Sequence, residues 1–170
     1  MGADENILNS SRSTDFMTPK NEQSRAFRNA VLELSSEHEF VRPFINSGRL
    51  SMPTPYHGSP LSTADVDDWK GGPQPGHPCV DAPVHDTGTH AWLLRQLGDQ
   101  FKLLHFGPNA PETELPVIQV GDDEVAVERY DARYGATYLI RPDQVVAARW
   151  KRASHAAISE AYQRAIGNRQ

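Results

Sequence analysis

Apolar residues recur along this chain at spacings that predict helices in some places and strands in others. Phe27, Val31 and Leu34 repeat at helical intervals, which predicts a helix over residues 21–36. Ahead of it, residues 1–14 are small and polar and carry no such period, so we expect a flexible leader there. The pattern therefore predicts a helix near the amino terminus, preceded by little regular structure.

The second half carries shorter apolar runs that end at glycine or at turn residues. The predicted elements are a helix over 89–97, buried strands over 101–106 and 116–120, strands over 137–140 and 145–150, and a helix over 154–166. The last two strands flank Arg141-Pro142-Asp143-Gln144, where proline takes the second position of a tight turn and predicts an antiparallel hairpin. This order predicts an α/β fold in which a mixed sheet is flanked by helices, and thioredoxin-like topology fits it best.

One spacing departs from that topology. Only residues 108–115 separate the first two predicted strands, whereas a parallel crossover normally needs a dozen or more residues. The usual covering helix is therefore expected to be shortened or lost, and the hollow that remains could hold a ligand.

Between the first helix and the sheet, residues 40–83 form a long segment rich in proline and glycine with weak periodicity. Such a segment is expected to be extended and to wrap over another surface, in its own chain or in a partner. The candidate interface residues are Arg49, Leu50, Met52, Tyr56 and Trp69, and Leu61 is a further apolar anchor. For Arg49, a pairing within the chain or a solvated side chain is the plainer alternative. The predicted organisation is thus a leader (1–14), a helix plus wrapping segment (15–83) and a thioredoxin-like domain (84–170).

Composition narrows the function classes. The length of 170 residues allows one domain. A net charge of -5 and a pI near 5.8 indicate no excess of basic residues of the kind that binds nucleic acid or an anionic membrane surface. No apolar run approaches the roughly 20 residues that span a bilayer. We therefore expect a cytoplasmic protein that binds neither nucleic acid nor membrane.

Cysteine usage excludes the usual chemistry of a thioredoxin fold. Cys79 is the one cysteine, and dithiol exchange needs two. The position at which the redox pair would stand reads Gly107-Pro108-Asn109-Ala110. The expected domain therefore lacks the cysteine pair and does not exchange disulfides.

Other catalytic patterns are equally weak. The metal-type side chains that lie closest in sequence match no familiar ligand spacing: His77, Cys79, His85, Asp86 and His90. No glycine-rich turn joins a strand to a helix as phosphate binding requires, and no nucleophile elbow of a hydrolase occurs. The sequence thus predicts no catalytic, cofactor-binding or metal-binding residue.

Four stretches together resemble the carboxyl-terminal end of aromatic-ring hydroxylases that use FAD and NADPH, a group that includes 3-(3-hydroxyphenyl)propionate hydroxylase and phenol hydroxylase. They are Asp15-Phe16-Met17-Thr18-Pro19, Asn46-Ser47-Gly48-Arg49-Leu50-Ser51, Leu93 to Gly98 with Phe101 to Leu104, and Arg141 to Trp150. The resemblance implies a thioredoxin-like domain without active cysteines, with a structural or oligomerisation role. It carries over no catalytic residue, since the family's flavin-binding motifs have no counterpart here. FAD and NADPH are implied only for a full-length relative or a partner.

Two interpretations follow from the resemblance. In the first, the chain is a non-catalytic module that forms a homodimer or docks on a flavin-bearing partner chain. In the second, it is an independent small-molecule-binding protein or enzyme whose site the sequence does not reveal.

Overall fold

The computed structural model describes residues 2–45, 53–86, 89–121, 123–133 and 135–168. Their contacts divide the chain into two compact units, Met1–Thr54 and Pro55–Gln170. Among the described residues, none of the helices is both long enough and apolar enough to cross a bilayer.

The first unit is helical. It contains α1 (Gly2–Met17), α2 (Glu22–Glu37), a 3-10 turn (Glu39–Val41) and the short helix α3 (Arg42–Ile45). The helix expected over 21–36 is α2, and it begins at Asn21, whose side chain accepts a hydrogen bond from the Ser24 N–H at 2.8 Å. Val31 is buried in this unit, whereas Phe27 and Leu34 are exposed.

Helix α1 occupies the region in which the sequence predicts a leader without regular structure. Its apolar side chains Ile7 and Leu8 are adjacent and exposed, so they form no stripe along the helix. Hydrophobic periodicity therefore does not predict a helix of this kind. The flexibility of residues 1–14 stays a prediction.

The second unit contains six strands and two helices in its described part. They are β1 (Pro83–Asp86), β2 (Thr89–Trp92), β3 (Lys102–Phe106), β4 (Val117–Val120), α4 (Glu124–Arg129), β5 (Thr137–Ile140), β6 (Val146–Trp150) and α5 (His155–Ala165). Strands β3 to β6 form one sheet in the order β4-β3-β5-β6, in which β3 and β4 are parallel and the other pairs antiparallel. The predicted α/β class, with a mixed sheet flanked by helices, is confirmed.

The core lies on both faces of this sheet, because successive strand residues point to opposite sides. On one face, Leu104 and Phe106 pack with Tyr130 and Tyr138. On the other face, Leu103 packs with residues of β5, β6 and α5. Strand β3 is thus buried on both sides, as the run 101–106 predicts. Its neighbour Phe101 is half-buried, and its ring meets that of Tyr162 edge-on at 5.1 Å.

Three local predictions need correction. The helix expected over 89–97 is instead strand β2 followed by a 3-10 turn at Leu93–Gln96, and β2 pairs with β1 in a separate two-stranded sheet. A run of nine residues is too short for periodicity to separate the two structures. Strand β4 exists, but it is an edge strand of which only Val120 is buried. Helix α4 is six residues long and was not predicted, although the Asp123 side chain caps it by accepting from the Ala126 N–H at 3.0 Å.

Residues 53–82, all of them described, contain no helix or strand beyond an isolated bridge between Pro78 and Val145. Part of this stretch, residues 63–79, hydrogen-bonds along the outer side of β6, and we call it the edge segment. Thr63 donates its N–H to the Ala147 carbonyl, and Gly76 donates to that of Val146, both at 2.8 Å. The edge segment thereby covers backbone groups of β6 that would otherwise face solvent.

Candidate functional site

The connection between β3 and β4 is the most unusual feature of the second unit. These strands are parallel, yet residues 107–116 join them without a helix. This agrees with the crossover shortening expected from the sequence. Gly107-Pro108-Asn109-Ala110, where the sequence pattern places the missing cysteine pair, directly follows β3 and brings no thiol or other nucleophile to the end of that strand.

A cavity of about 700 Å³ lies at this end of the sheet. Its walls come from residues that follow β3 and β4, from the stretch between α4 and β5, and from the start of the segment after β6. The polar side chains among its described lining are His105, Asn109, Arg133, Thr137 and Arg152. Phe106, Val127 and Ala132 supply apolar surface.

His105 and Thr137 are the buried polar residues of the described lining. His105 is the one that can titrate. It keeps 4% of its surface exposed, and its Nδ1 lies 2.9 Å from Thr137 Oγ1 on the neighbouring strand β5. Burial lowers the pKa of His105 below the ordinary value of 6.5, because the charged imidazolium loses its hydration. The ring is therefore neutral at neutral pH, and it can donate one hydrogen bond and accept another.

Two guanidinium groups give the cavity its charge. Arg133 and Arg152 both line it and are exposed, and neither forms an ion pair with any described residue. The described lining contains no Asp or Glu. The described lining of the cavity is consequently cationic, within a protein whose net charge is -5.

Cys79 lies away from this cavity and is buried. Burial raises the pKa of its thiol to about 12, so almost no reactive thiolate forms at neutral pH. A thiol in this state is a packing side chain of the core around Tyr130 and Tyr138.

The strongest charged contact of the unit joins the edge segment to the sheet. Arg149 on β6 donates to both carboxylate oxygens of Asp65, at 2.9 and 2.6 Å, and to the Gly71 carbonyl at 2.8 Å. The Trp69 ring lies against the same guanidinium, with 4.4 Å from its centroid to Cζ. Arg149 is thus held by three residues of the edge segment, and its role is structural.

The candidate interface residues fall in different places. Arg49, Leu50 and Met52 lie outside the described residues. Tyr56 is exposed, while Trp69 is half-buried and contacts Tyr138 with ring centroids 5.6 Å apart. Their role in an interface stays a prediction.

Of the metal-type cluster, the structure describes the side chains of His77 and Cys79 but not those of His85, Asp86 and His90. The His77 ring meets His57 edge-on at 4.8 Å. Among the described residues, no group of three or more His, Cys, Asp or Glu side chains is arranged to hold a metal ion.

Sequence reasoning missed the residues that line the cavity. Arg133 and Arg152 belong to no motif and lie 19 positions apart, and only the fold brings them to one opening. The short spacing between the first two strands was the one usable signal, and it located the hollow without identifying its lining.

Comparison with known proteins gives a fold but no sequence family. No family model matches the chain, and no curated protein matches it. Among solved structures, the rebeccamycin biosynthetic enzyme RebC with reduced flavin has a TM-score of 0.63 and 18% identity, and the match covers 98% of this chain and 34% of RebC. The flavin-dependent monooxygenase PieE in complex with FAD and substrate has a TM-score of 0.54 and 18% identity over 91% of this chain and 32% of PieE.

A third similar structure is that of aklavinone-11 hydroxylase with FAD and aklavinone. Its TM-score is 0.51 at 21% identity, over 68% of this chain and 26% of the hydroxylase. The chain therefore spans about a third or less of the length of each of these enzymes. In fold, the chain resembles one part of the FAD-dependent aromatic monooxygenases.

Proposed function

We propose that this chain is a non-catalytic, thioredoxin-like domain or subunit that supports an FAD- and NADPH-dependent aromatic-ring monooxygenase. The observation that carries the proposal is the match of 98% of this chain to 34% of RebC. A chain that resembles one part of a flavin enzyme over nearly its whole length fits the role of that part. FAD and NADPH would then belong to a full-length relative or to a partner chain.

Strand order supports the thioredoxin-like assignment. The core of that fold pairs two parallel strands with an antiparallel hairpin and ends in a helix. Here β4-β3-β5-β6 followed by α5 has the same arrangement, with no helix in the β3–β4 connection. The high thiol pKa of Cys79 supports a role without redox chemistry.

A role in assembly draws on exposed apolar side chains, which commonly mark interfaces. In the first unit the large ones are Ile7, Leu8, Met17, Phe27, Leu32, Leu34 and Phe40. Tyr56 is exposed at the start of the second unit. We propose that these apolar side chains contact a second copy of the chain or a flavin-bearing partner chain. We propose the cytoplasm as the compartment.

Two measurements on the purified chain test the proposal. A non-catalytic part is expected to be colourless and to leave the fluorescence of added FAD unchanged. A yellow protein whose absorbance survives dialysis would contradict it.

Sedimentation equilibrium over a hundredfold concentration range tests self-association. We expect a dimer that is weakened by Leu50→Asp combined with Tyr56→Asp, and unaffected by Val125→Asp on the exposed side of α4. A wild-type chain that is monomeric at every concentration excludes the homodimer.

A further inference from the structure

We propose that the cavity at the carboxyl ends of β3 and β4 is a binding site for a small organic anion. The ligand would carry one carboxylate or phosphate group on a compact, largely apolar body. This inference goes beyond the proposed structural function and does not depend on it.

The charge of the lining indicates an anion. Arg133 and Arg152 both line the cavity, neither has an ion-pair partner among the described residues, and no described lining residue is acidic. Arg149, whose role is structural, is by contrast paired with Asp65. Guanidinium groups match carboxylate and phosphate oxygens in geometry and can donate two hydrogen bonds to one such group.

The side chain of His105 supplies a directional hydrogen-bonding group to the cavity. His105 is anchored through Nδ1 by Thr137, and the structure shows no hydrogen bond from its Nε2 to any described residue. A ring nitrogen that is free of protein partners beside a cavity commonly hydrogen-bonds to water or to a ligand. His105 therefore offers one fixed contact to a bound molecule.

The apolar residues of the lining and the cavity volume indicate the chemical character and size of the rest of the ligand. Phe106, Val127 and Ala132 are apolar, and the volume of about 700 Å³ lies within the range of pockets for small molecules. A ligand with an anionic group and an apolar body would satisfy both parts of the surface. A fully polar ion such as free phosphate would leave the apolar part hydrated.

The fold explains why the space exists. A helix in the β3–β4 crossover would normally pack on one face of the sheet, and the carboxyl ends of parallel strands are the usual location of ligand sites in α/β sheets. In this chain residues 107–116 form no helix, and Gly107 adopts a φ of 129°, which places a residue without Cβ beside the His105 ring. Residues 107–116 therefore place no crossover helix beside the cavity.

The test is an NMR titration of the full chain with three probes of similar shape: benzoate, phenyl phosphate and benzamide. Both anions are expected to shift the His105 ring resonances and the amide resonances of Gly107 and Asn109, and uncharged benzamide is expected to leave them unchanged. Whichever anion binds more tightly identifies carboxylate or phosphate as the preferred group.

Variants separate a specific site from general attraction. The double variant Arg133→Gln and Arg152→Gln should weaken anion binding by roughly tenfold or more, since hydrogen bonds to charged groups are lost. Arg95→Gln removes an exposed arginine that does not line the cavity and should bind as wild type does. Both substituted positions of the double variant are exposed, so folding is expected to be preserved, and thermal unfolding checks it.

Three results would overturn the proposal. They are benzamide shifting the same resonances as strongly as benzoate, equal losses in the double variant and in Arg95→Gln, and no shift with either anion at about 10 mM, where even weak millimolar binding is detected.

Discussion

Arg149 and Asp65 form a two-point ion pair although 84 positions separate them in the chain. The Arg149 side chain retains 2% of its surface and that of Asp65 27%, so the pair lies at the edge of the core. It fastens the edge segment to β6 and orients the Trp69 ring.

Loss of the carboxylate is therefore expected to be costly. Asp65→Asn leaves a buried guanidinium without a counter-charge and should lower the free energy of unfolding by about 2–3 kcal/mol, somewhat below the value for a fully buried pair. Asp143→Asn breaks the more exposed pair with Arg141 and should cost at most about 1 kcal/mol. Urea unfolding of the two variants makes the comparison. Equal effects would show that the Arg149 pair is not a special contact.

Gly72 should tolerate no side chain. Its φ is +73°, and a Cβ would lie 2.6 Å from the Tyr130 carbonyl oxygen. Gly72→Ala is expected to cost on the order of 3 kcal/mol, because backbone strain and a clash add. Gly58 has a φ of +65° with nothing within 4 Å, so Gly58→Ala carries the strain alone, about 1 kcal/mol. Thermal unfolding of both variants separates the two contributions.

Leu104 on β3 has no exposed surface. Leu104→Ala should lower the free energy of unfolding by about 2–5 kcal/mol through lost burial and the resulting cavity. Val117→Ala, at an exposed position on the edge strand β4, should change it by about 0.5 kcal/mol or less. Urea midpoints of similar size for the two variants would contradict the placement of β3 at the centre of the sheet.

Cys79 should be inert in the folded chain. With a thiol pKa of about 12 and a buried sulfur, it is expected to react with an aromatic disulfide reagent only when the chain unfolds. The rate of colour development in buffer and in denaturant measures this directly. We also expect no insulin-disulfide reductase activity, and turnover that Cys79→Ala abolishes would refute the assignment.

Stability should fall on acidification through two histidines. Burial lowers the pKa of His105, and burial followed by the nearby His57 and Arg149 lowers that of His77. Below the unfolded value of about 6.5 the unfolded chain binds more protons at these positions than the folded one, so the free energy of unfolding decreases as the pH falls through this range.

A comparison of variants isolates this contribution. His105→Gln should lose less stability than wild type between about pH 7.5 and pH 5.5. Parallel profiles for wild type and His105→Gln would show that His105 does not contribute.

Local sequence signals predicted the elements whose turn and cap residues lie next to them in the chain. The β5–β6 hairpin follows from proline at the second turn position, and Gln144 there adopts a φ of 62°. Helix α5 begins at Ser154, whose side chain accepts from the Ala157 N–H, and Gly167 follows its end. In each case neighbouring residues determine the structure, so inspection of a short window suffices.

Tertiary contacts explain what could not be predicted. Asp65 has no partner within its own stretch of chain, and its pairing with Arg149 exists only once the edge segment lies along β6. Strand β2 depends on β1, and the cavity lining depends on residues that are distant in sequence. The spacing between β3 and β4 predicted a missing helix, but no local rule predicted which side chains would face the gap.

The edge segment also has a consequence for the order of events during synthesis. Asp65 leaves the ribosome 84 residues before Arg149, so at roughly 5–20 residues per second it waits some 4–17 seconds for its partner. Throughout that interval Trp69 lacks Arg149, and for all but the last 11 residues of it Trp69 also lacks Tyr138. The edge segment is thus made before the sheet but can hydrogen-bond to it only after β6 has been made. A translational pause before β6 would lengthen the time for which the edge segment is exposed to other proteins.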